Sequence, residues 1–176
     1  MVRYKNQQGF SLIEVLVVVA ITMLLIGLGG PSVVDSLNRA KIKSVSQETY
    51  FLFKLARSQA LSSSSDISLD FETGDNWCMG MSDAGVCDCT TQDSCMVNGI
   101  ESVITYKDFN GIEMNSALFG IDKTAIFDGQ RGLALNDAGT VEYSDPQNNK
   151  IRVSLNVLGR TNICVVTGQI GSYPAC

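Results

Sequence analysis

The sequence predicts an α+β fold in which a long N-terminal helix, first transmembrane and then amphipathic, packs on a mostly antiparallel β domain. Three observations lead there. Residues Phe10 to Leu28 form an apolar run of nineteen residues broken by a single charge, Glu14. Residues 32–61 then place Val34, Leu37, Val45, Leu52, Ala56 and Ala60 near one helical face, with Arg39, Lys41, Lys43 and Lys54 on others. From Asp66 onward the period drops to two, as Ile67, Leu69 and Phe71 alternate with polar residues.

The chain opens with a short leader, Met1 to Gly9, that carries Arg3 and Lys5. Basic residues beside an apolar run hold their end of it in the cytoplasm, which sends the remainder of the chain to the other side. A secretory signal would place its small residue after the apolar core. Here Gly9 stands before it, so the run is retained if the chain is cut there. The length of the run is close to the roughly 20 residues that a membrane-spanning helix needs. Glu14 is then an anomaly, because a carboxylate in such a helix costs on the order of 2.5 to 3.5 kcal/mol at the bilayer centre and less near an end. On the residues alone it either snorkels to the interface or pairs with an N-terminus four residues away on the same helical face.

After the apolar run, Gly27-Leu28-Gly29-Gly30-Pro31 is roughly 6 kcal/mol worse as helix than polyalanine, at about 1 kcal/mol per Gly and 3 per Pro. A kink or break is expected at Gly29, Gly30 and Pro31. The helix resumes over 31–61, and Ser62-Ser63-Ser64-Ser65 ends it, since hydroxyls compete for backbone groups. The organisation is therefore a leader of 1–9, an apolar helix of 10–30, an amphipathic helix of 31–61 and a β-rich domain of 62–176. Within the last, Ile151, Val153, Leu155 and Val157 alternate as firmly as Ile67 to Phe71. Further strands are expected at 103–106, 124–127, 132–135, 140–143 and 163–167, with Asn136-Asp137-Ala138-Gly139 turning a hairpin between the third and fourth.

Six cysteines and no histidine, on a segment placed outside the cytoplasm, favour disulfides over metal ligation. Cys78, Cys87, Cys89 and Cys95 lie in one Asp- and Gly-containing segment, where four thiols allow three connectivities that the sequence does not decide. Their C-x8-C-x-C-x5-C spacing departs from that of zinc sites. Six aspartates in 66–93 lack the Asp-x-Asp-x-Asp-Gly spacing of a calcium loop. No metal or other cofactor is expected. Without histidine a Ser or Cys nucleophile lacks its usual base, and no P-loop is present, so the chain does not read as an enzyme.

Gly9-Phe10-Ser11-Leu12-Ile13-Glu14 resembles the N-terminus of type IV prepilins and of the pseudopilins of type II secretion, whose shared motif reads Gly, Phe, Thr or Ser, Leu, Ile or Leu, Glu. The resemblance implies that a prepilin peptidase cuts between Gly9 and Phe10 and methylates the new amino group of Phe10. It also implies an assembly role for Glu14, whose carboxylate would meet the Phe10-type ammonium of a neighbouring subunit and so compensate two charges in a low-dielectric filament core. A second resemblance spans nearly the whole chain. Leu55-Ala56-Arg57-Ser58-Gln59-Ala60, Trp77 followed by Gly80, and Leu158-Gly159-Arg160 leading to Cys164 and Cys176 look like the GspH/FimT group of minor pilins and pseudopilins.

That group implies two sheets behind the helix and a low-abundance place in a filament. The chain would be inserted in a bacterial inner membrane as a single pass with its domain in the periplasm, in contact with lipid and an assembly platform, before joining other pilin-like subunits. Pairing of Cys164 with Cys176, as in the disulfide-closed tails of many minor pilins, would close a C-terminal loop worth about 3 kcal/mol in the chain-entropy model. Some relatives bind DNA through a Gly-Arg-x-Arg tail motif, of which this chain keeps Gly159 and Arg160 but has Asn162 at the second arginine. Residues 62–176 hold six basic against fifteen acidic residues, a net charge of −9 that opposes phosphate binding. The residues left for DNA are Lys150, Arg152 and Arg160, in a tail with no acidic residue after Asp145. DNA is not the favoured partner. The cysteine-rich domain with a disulfide-closed tail like that of many minor pilins favours a minor pilin of a type IV pilus, with a pseudopilin of type II secretion as the alternative.

Overall fold

The computed structural model describes residues 10–120, 123–134 and 138–176, the side chains of 28–32 excepted. The chain divides into two compact units, one ending at Leu37 and one of Asn38–Cys176. A single helix, α1 (Leu12–Ser63), contributes to both.

In the first unit the described apolar side chains are exposed. Leu16, Met23 and Ile26 are 58, 69 and 71% exposed. The break expected at Gly29, Gly30 and Pro31 is absent, since α1 runs through these residues uninterrupted. An interior proline removes one N–H from the ladder and crowds the carbonyl four residues back, whereas a break would create two new helix ends with several unpaired backbone groups each. Among the described residues no helix is long and apolar enough to cross a membrane; the described side chains of the apolar run end at Gly27.

In the second unit α1 buries Ile42, Val45, Thr49, Leu52, Phe53 and Ala56, a set at three- and four-residue spacing that forms one stripe. Val45, Leu52, Ala56 and Ala60 lie on this stripe as expected, but Val34 and Leu37 are more than half exposed. The helix ends within the serine run, at Ser63. Ser62 and Ser63 hydroxyls both donate to the Gln59 carbonyl, at 3.0 and 2.8 Å, and Ser64 turns to a φ of 55°.

Ten strands follow: β1 (Ile67–Glu72), β2 (Cys78–Ser82), β3 (Met96–Val97), β4 (Ile100–Glu101), β5 (Val103–Thr105), β6 (Glu113–Leu118), β7 (Thr124–Phe127), β8 (Gly139–Ser144), β9 (Lys150–Leu155) and β10 (Thr161–Thr167). They form two four-stranded sheets, ordered β5-β2-β1-β7 and β10-β9-β8-β6, and a small β3-β4 hairpin, all antiparallel. One core collects the inward residues of α1 and of both large sheets. Phe53 meets Phe71 and Phe119, which stack at 4.9 Å between ring centres. Trp77, fully buried, donates its indole N–H to the Ile112 carbonyl at 2.7 Å and lies against Phe109 and Tyr143.

The strands expected at 103–106, 124–127, 140–143 and 163–167 are β5, β7, β8 and β10, with Tyr106 entering a short 3-10 turn. Residues 132–134 are not a strand, although Ala134 donates to the Val157 carbonyl at 3.1 Å. The remainder of that expected hairpin, Leu135 to Asp137, lies outside the described residues. β8 instead pairs with β6 and β9.

All six cysteines are paired. Cys164 bonds to Cys176 as the resemblance implied, and the open four resolve as Cys78–Cys89 and Cys87–Cys95. These last two form a second buried cluster on the side of β2 away from Met79 and Met81. Gly80 is required there, because a Cβ would overlap the Cys95 sulfur. The C-terminal disulfide holds Ala175 in a parallel bridge to Val165, where Val165 donates to Pro174 and Cys176 donates back to Val165. Part of the outer edge of β10 is thereby covered, which limits its capacity to pair with another chain.

Candidate functional site

Two places hold the residues singled out above. At the N-terminus, Gly9 lies outside the described residues, and Phe10 is 85% exposed. Ser11 and Glu14 together cap the start of α1: the Ser11 hydroxyl accepts the Ile13 N–H at 3.3 Å, while the Glu14 carboxylate accepts the Ser11 N–H at 3.3 Å. This is a capping box, in which two N–H groups that no helical carbonyl can reach are taken up by side chains. A carboxylate at the positive end of the helix dipole is also favoured. Ser-x-x-Glu before an apolar run is the sequence signal for this arrangement, and it gives Glu14 a duty within its own chain.

The basic residues of the tail are not brought together. Arg152 lies opposite Glu142 in the β8-β9 register and is engaged by it, Nε donating to the carboxylate at 2.7 Å in a half-buried pair. Lys150 starts β9 and Arg160 follows its far end, about 17 Å away at the usual rise of a strand. Arg160 instead sits in the β9-β10 turn, which Asn156 organises by accepting the N–H groups of Leu158 and Arg160 on its side-chain oxygen, at 3.0 and 2.9 Å.

In that turn Arg160 meets cations that the tail does not supply. A groove of about 510 Å³ is lined by Tyr50, Lys54, Arg57 and Leu61 of α1 and by Gly159 and Arg160. Lys54 Nζ lies 4.8 Å from the centre of the Tyr50 ring, within cation–π range. Arg57 donates to the Gly159 carbonyl at 3.2 Å. Its stem is seated between two glycines in the left-handed region, Gly132 at φ +62° and Gly159 at φ +70°; a Cβ on Gly132 would come 3.1 Å from Arg57 Cγ. Among the described residues no carboxylate lies within 4 Å of Lys54, Arg57 or Arg160. The convergence was hidden in the sequence by the roughly hundred residues between α1 and the turn.

Elsewhere the titratable groups have local duties. Burial pushes the Asp70 carboxyl up, and the nearby carboxylates of Asp88 and Glu72 add to this. Hydrogen bonds from Thr90 and Thr91 hold Asp88 below its ordinary range. Among the described residues no group of His, Cys, Asp and Glu is arranged to hold a metal ion.

A helix-led fold of two antiparallel sheets, opened by this N-terminal segment, is that of the type IV pilin-like proteins. A family model for the prokaryotic N-terminal methylation motif matches residues 4–29, and one for type II transport protein GspH matches residues 46–159. The second covers well over half of the chain, and the chain belongs to that GspH family, as a minor pilin or pseudopilin. No curated protein and no solved structure matches the chain significantly.

Proposed function

We propose that this chain is a minor pilin, a low-abundance subunit that takes part in assembling a type IV pilus or forming its tip. One observation carries the reading: directly behind the methylation motif, the apolar side chains from Phe10 to Ile26 stand between 42 and 85% exposed, without partners in their own chain. Such a surface is stable only in lipid or against the same surface of other subunits. In this reading a prepilin peptidase cuts after Gly9 and methylates Phe10. The helix rests in the inner membrane with the disulfide-bonded domain in the periplasm, and the assembly platform then moves it into the filament. Glu14 meets the ammonium of a neighbouring subunit there, which exchanges its capping contact for a charge pair. The role is structural, not catalytic; the absence of histidine and of a phosphate loop from the sequence supports this.

The second reading is a pseudopilin of a type II secretion system, and the description of the matched family, type II transport, supports it. Three disulfides, one closing the tail, favour the pilus. Deletion of the gene separates the two readings: loss of surface pili with normal export supports the first, and loss of export with normal pili supports the second. For the assembly role, Glu14→Ala should still be cleaved but fail to enter filaments. Normal incorporation would sink that role, and a bulky residue at Gly9 should block cleavage instead.

A further inference from the structure

We infer that the groove between the end of α1 and the β9-β10 turn is a docking site for an acidic surface of a neighbouring pilin-like subunit. The inference deepens the filament reading above and rests on it.

Three cations converge there, Lys54 and Arg57 from α1 and Arg160 from the turn, beside a β-rich region, residues 62–176, of net charge −9. Among the described residues only Lys123, Arg131 and Arg152 have a carboxylate within 4 Å. What sets Lys54, Arg57 and Arg160 apart from the other cations without one is that all three line a single groove. Arg57 is moreover built into place, half-buried, with its guanidinium held by the Gly159 carbonyl and its stem admitted by two glycines. A side chain fixed in this way loses little further entropy on binding an anion, and a guanidinium presents its donors in a fork that matches a carboxylate.

The surroundings select a protein carboxylate over a nucleic acid. Leu61 in the groove is 47% exposed, and Phe51 and Leu55 on the adjoining face of α1 are 60 and 47% exposed. Apolar side chains interleaved with cations suit a surface that offers acidic and apolar groups together. Phosphate tracking would need a longer run of free cations, and Lys150 and Arg152 are not part of this one. The chain's own segment 62–106 shows what the complementary surface looks like: it carries eight acidic residues and no basic one, with Val86 and Ile100 about 70% exposed among them. A cationic groove on one part of the domain and an acidic apolar surface on another are what head-to-tail packing uses, since an open filament is built from two different complementary patches.

The test uses the full chain in cells, with a photo-crosslinking residue in place of Ser58, which lines the groove between Lys54 and Leu61. The expected product is a cross-link to a pilin-like subunit, mapped by mass spectrometry to an acidic segment. Lys54→Glu with Arg160→Glu, both exposed positions that leave thermal unfolding unchanged, should reduce it about tenfold or more. Reversal of the mapped carboxylate to lysine should restore it. Cross-linking to DNA, to lipid or to a protein that is not pilin-like would overturn the inference, as would a yield indifferent to the double variant. Absence of any cross-link from a chain that is cleaved and incorporated overturns the inference alone. Absence of cleavage and incorporation overturns the filament reading and takes the inference with it.

Discussion

The N-terminal segment and the disulfide-bonded domain use the same residue types in opposite ways. Between Phe10 and Ile26 every large apolar side chain is exposed, whereas the domain buries Ile42, Phe53, Leu69, Trp77 and Tyr143 completely. Hydrophobicity in the domain makes a core, and in the segment it remains at the surface. The two should therefore respond differently to the same truncation. Phe53→Ala should cost the domain about 3–5 kcal/mol, because it empties the space between Phe71 and Phe119. Leu16→Ala should leave domain stability within about 0.5 kcal/mol and act on assembly alone. Denaturant unfolding of the detergent-solubilised chain, followed by the fluorescence of the one tryptophan, Trp77, checks both.

Next in size are the covalent links. Replacement of Cys87 and Cys95 by serine should lower domain stability by about 2–3 kcal/mol, on the loop-entropy account for a link between residues eight apart. Gly80→Ala should cost about 1–3 kcal/mol by forcing a methyl into the Cys95 sulfur. Neither change should affect cleavage after Gly9. If either did, the separation of duties between the two regions would be wrong.

How legible each region was depends on whether its residues answer to near or distant neighbours. In the N-terminal segment the helical apolar run was legible because it is local, whereas the Ser11–Glu14 cap, equally local, was not read and the break expected at Gly29 to Pro31 is not formed. β1 and β9 were legible because apolar residues alternate with polar ones along both, although in β1 the polar face is itself covered at Ser68. β2 was not: Cys78 to Ser82 is buried on both faces, one by the core and the other by the cysteine cluster, so no alternation exists to be seen. β6 was lost for another reason, a register shift between Met114 and Ser116 that breaks the period of two within six residues. The four-cysteine connectivity and the meeting of Arg57 with Arg160 are products of the tertiary fold, and no local spacing encodes them.

A smaller effect separates the polar parts of the two regions. Thr49 on α1 and Tyr143 on β8 share a buried hydrogen bond of 2.7 Å, and burial holds the Tyr143 phenol well above its ordinary range. Tyr143→Phe leaves the Thr49 hydroxyl still bonded to the Val45 carbonyl, so the loss should be about 1 kcal/mol. At the other end, Ser11→Ala should fray the start of α1 by about 1 kcal/mol without touching domain stability. Glu14→Gln is the more informative change. Glutamine still closes a capping box but carries no charge, so helicity should persist while incorporation into filaments fails. Normal incorporation of Glu14→Gln would mean that capping, not charge pairing, is what the carboxylate supplies.

The smallest expected effect lies within the domain and concerns pH. Asp70 and Asp88 are displaced from the ordinary carboxylate value of 3.8 in opposite directions. Asp70, raised chiefly by burial, binds its proton more tightly in the folded chain; its contribution to stability grows as pH falls through the raised value and is lost as pH rises through it. Asp88, lowered by Thr90 and Thr91, behaves the other way: it stabilises above the ordinary value and ceases to do so as pH falls through the lowered one. At pH 7, Asp70→Asn should thus be neutral or slightly stabilising, and Asp88→Asn slightly destabilising, with both differences shrinking below the ordinary carboxylate range. Because the Asp88 charge also helps to raise Asp70, the two substitutions should not add: removing Asp88 relieves part of the cost that Asp70 carries. Thermal unfolding of the single and double variants between pH 3 and 7 reads this coupling, and strict additivity would show that the cysteine loop does not hold Asp88 against β1 in solution.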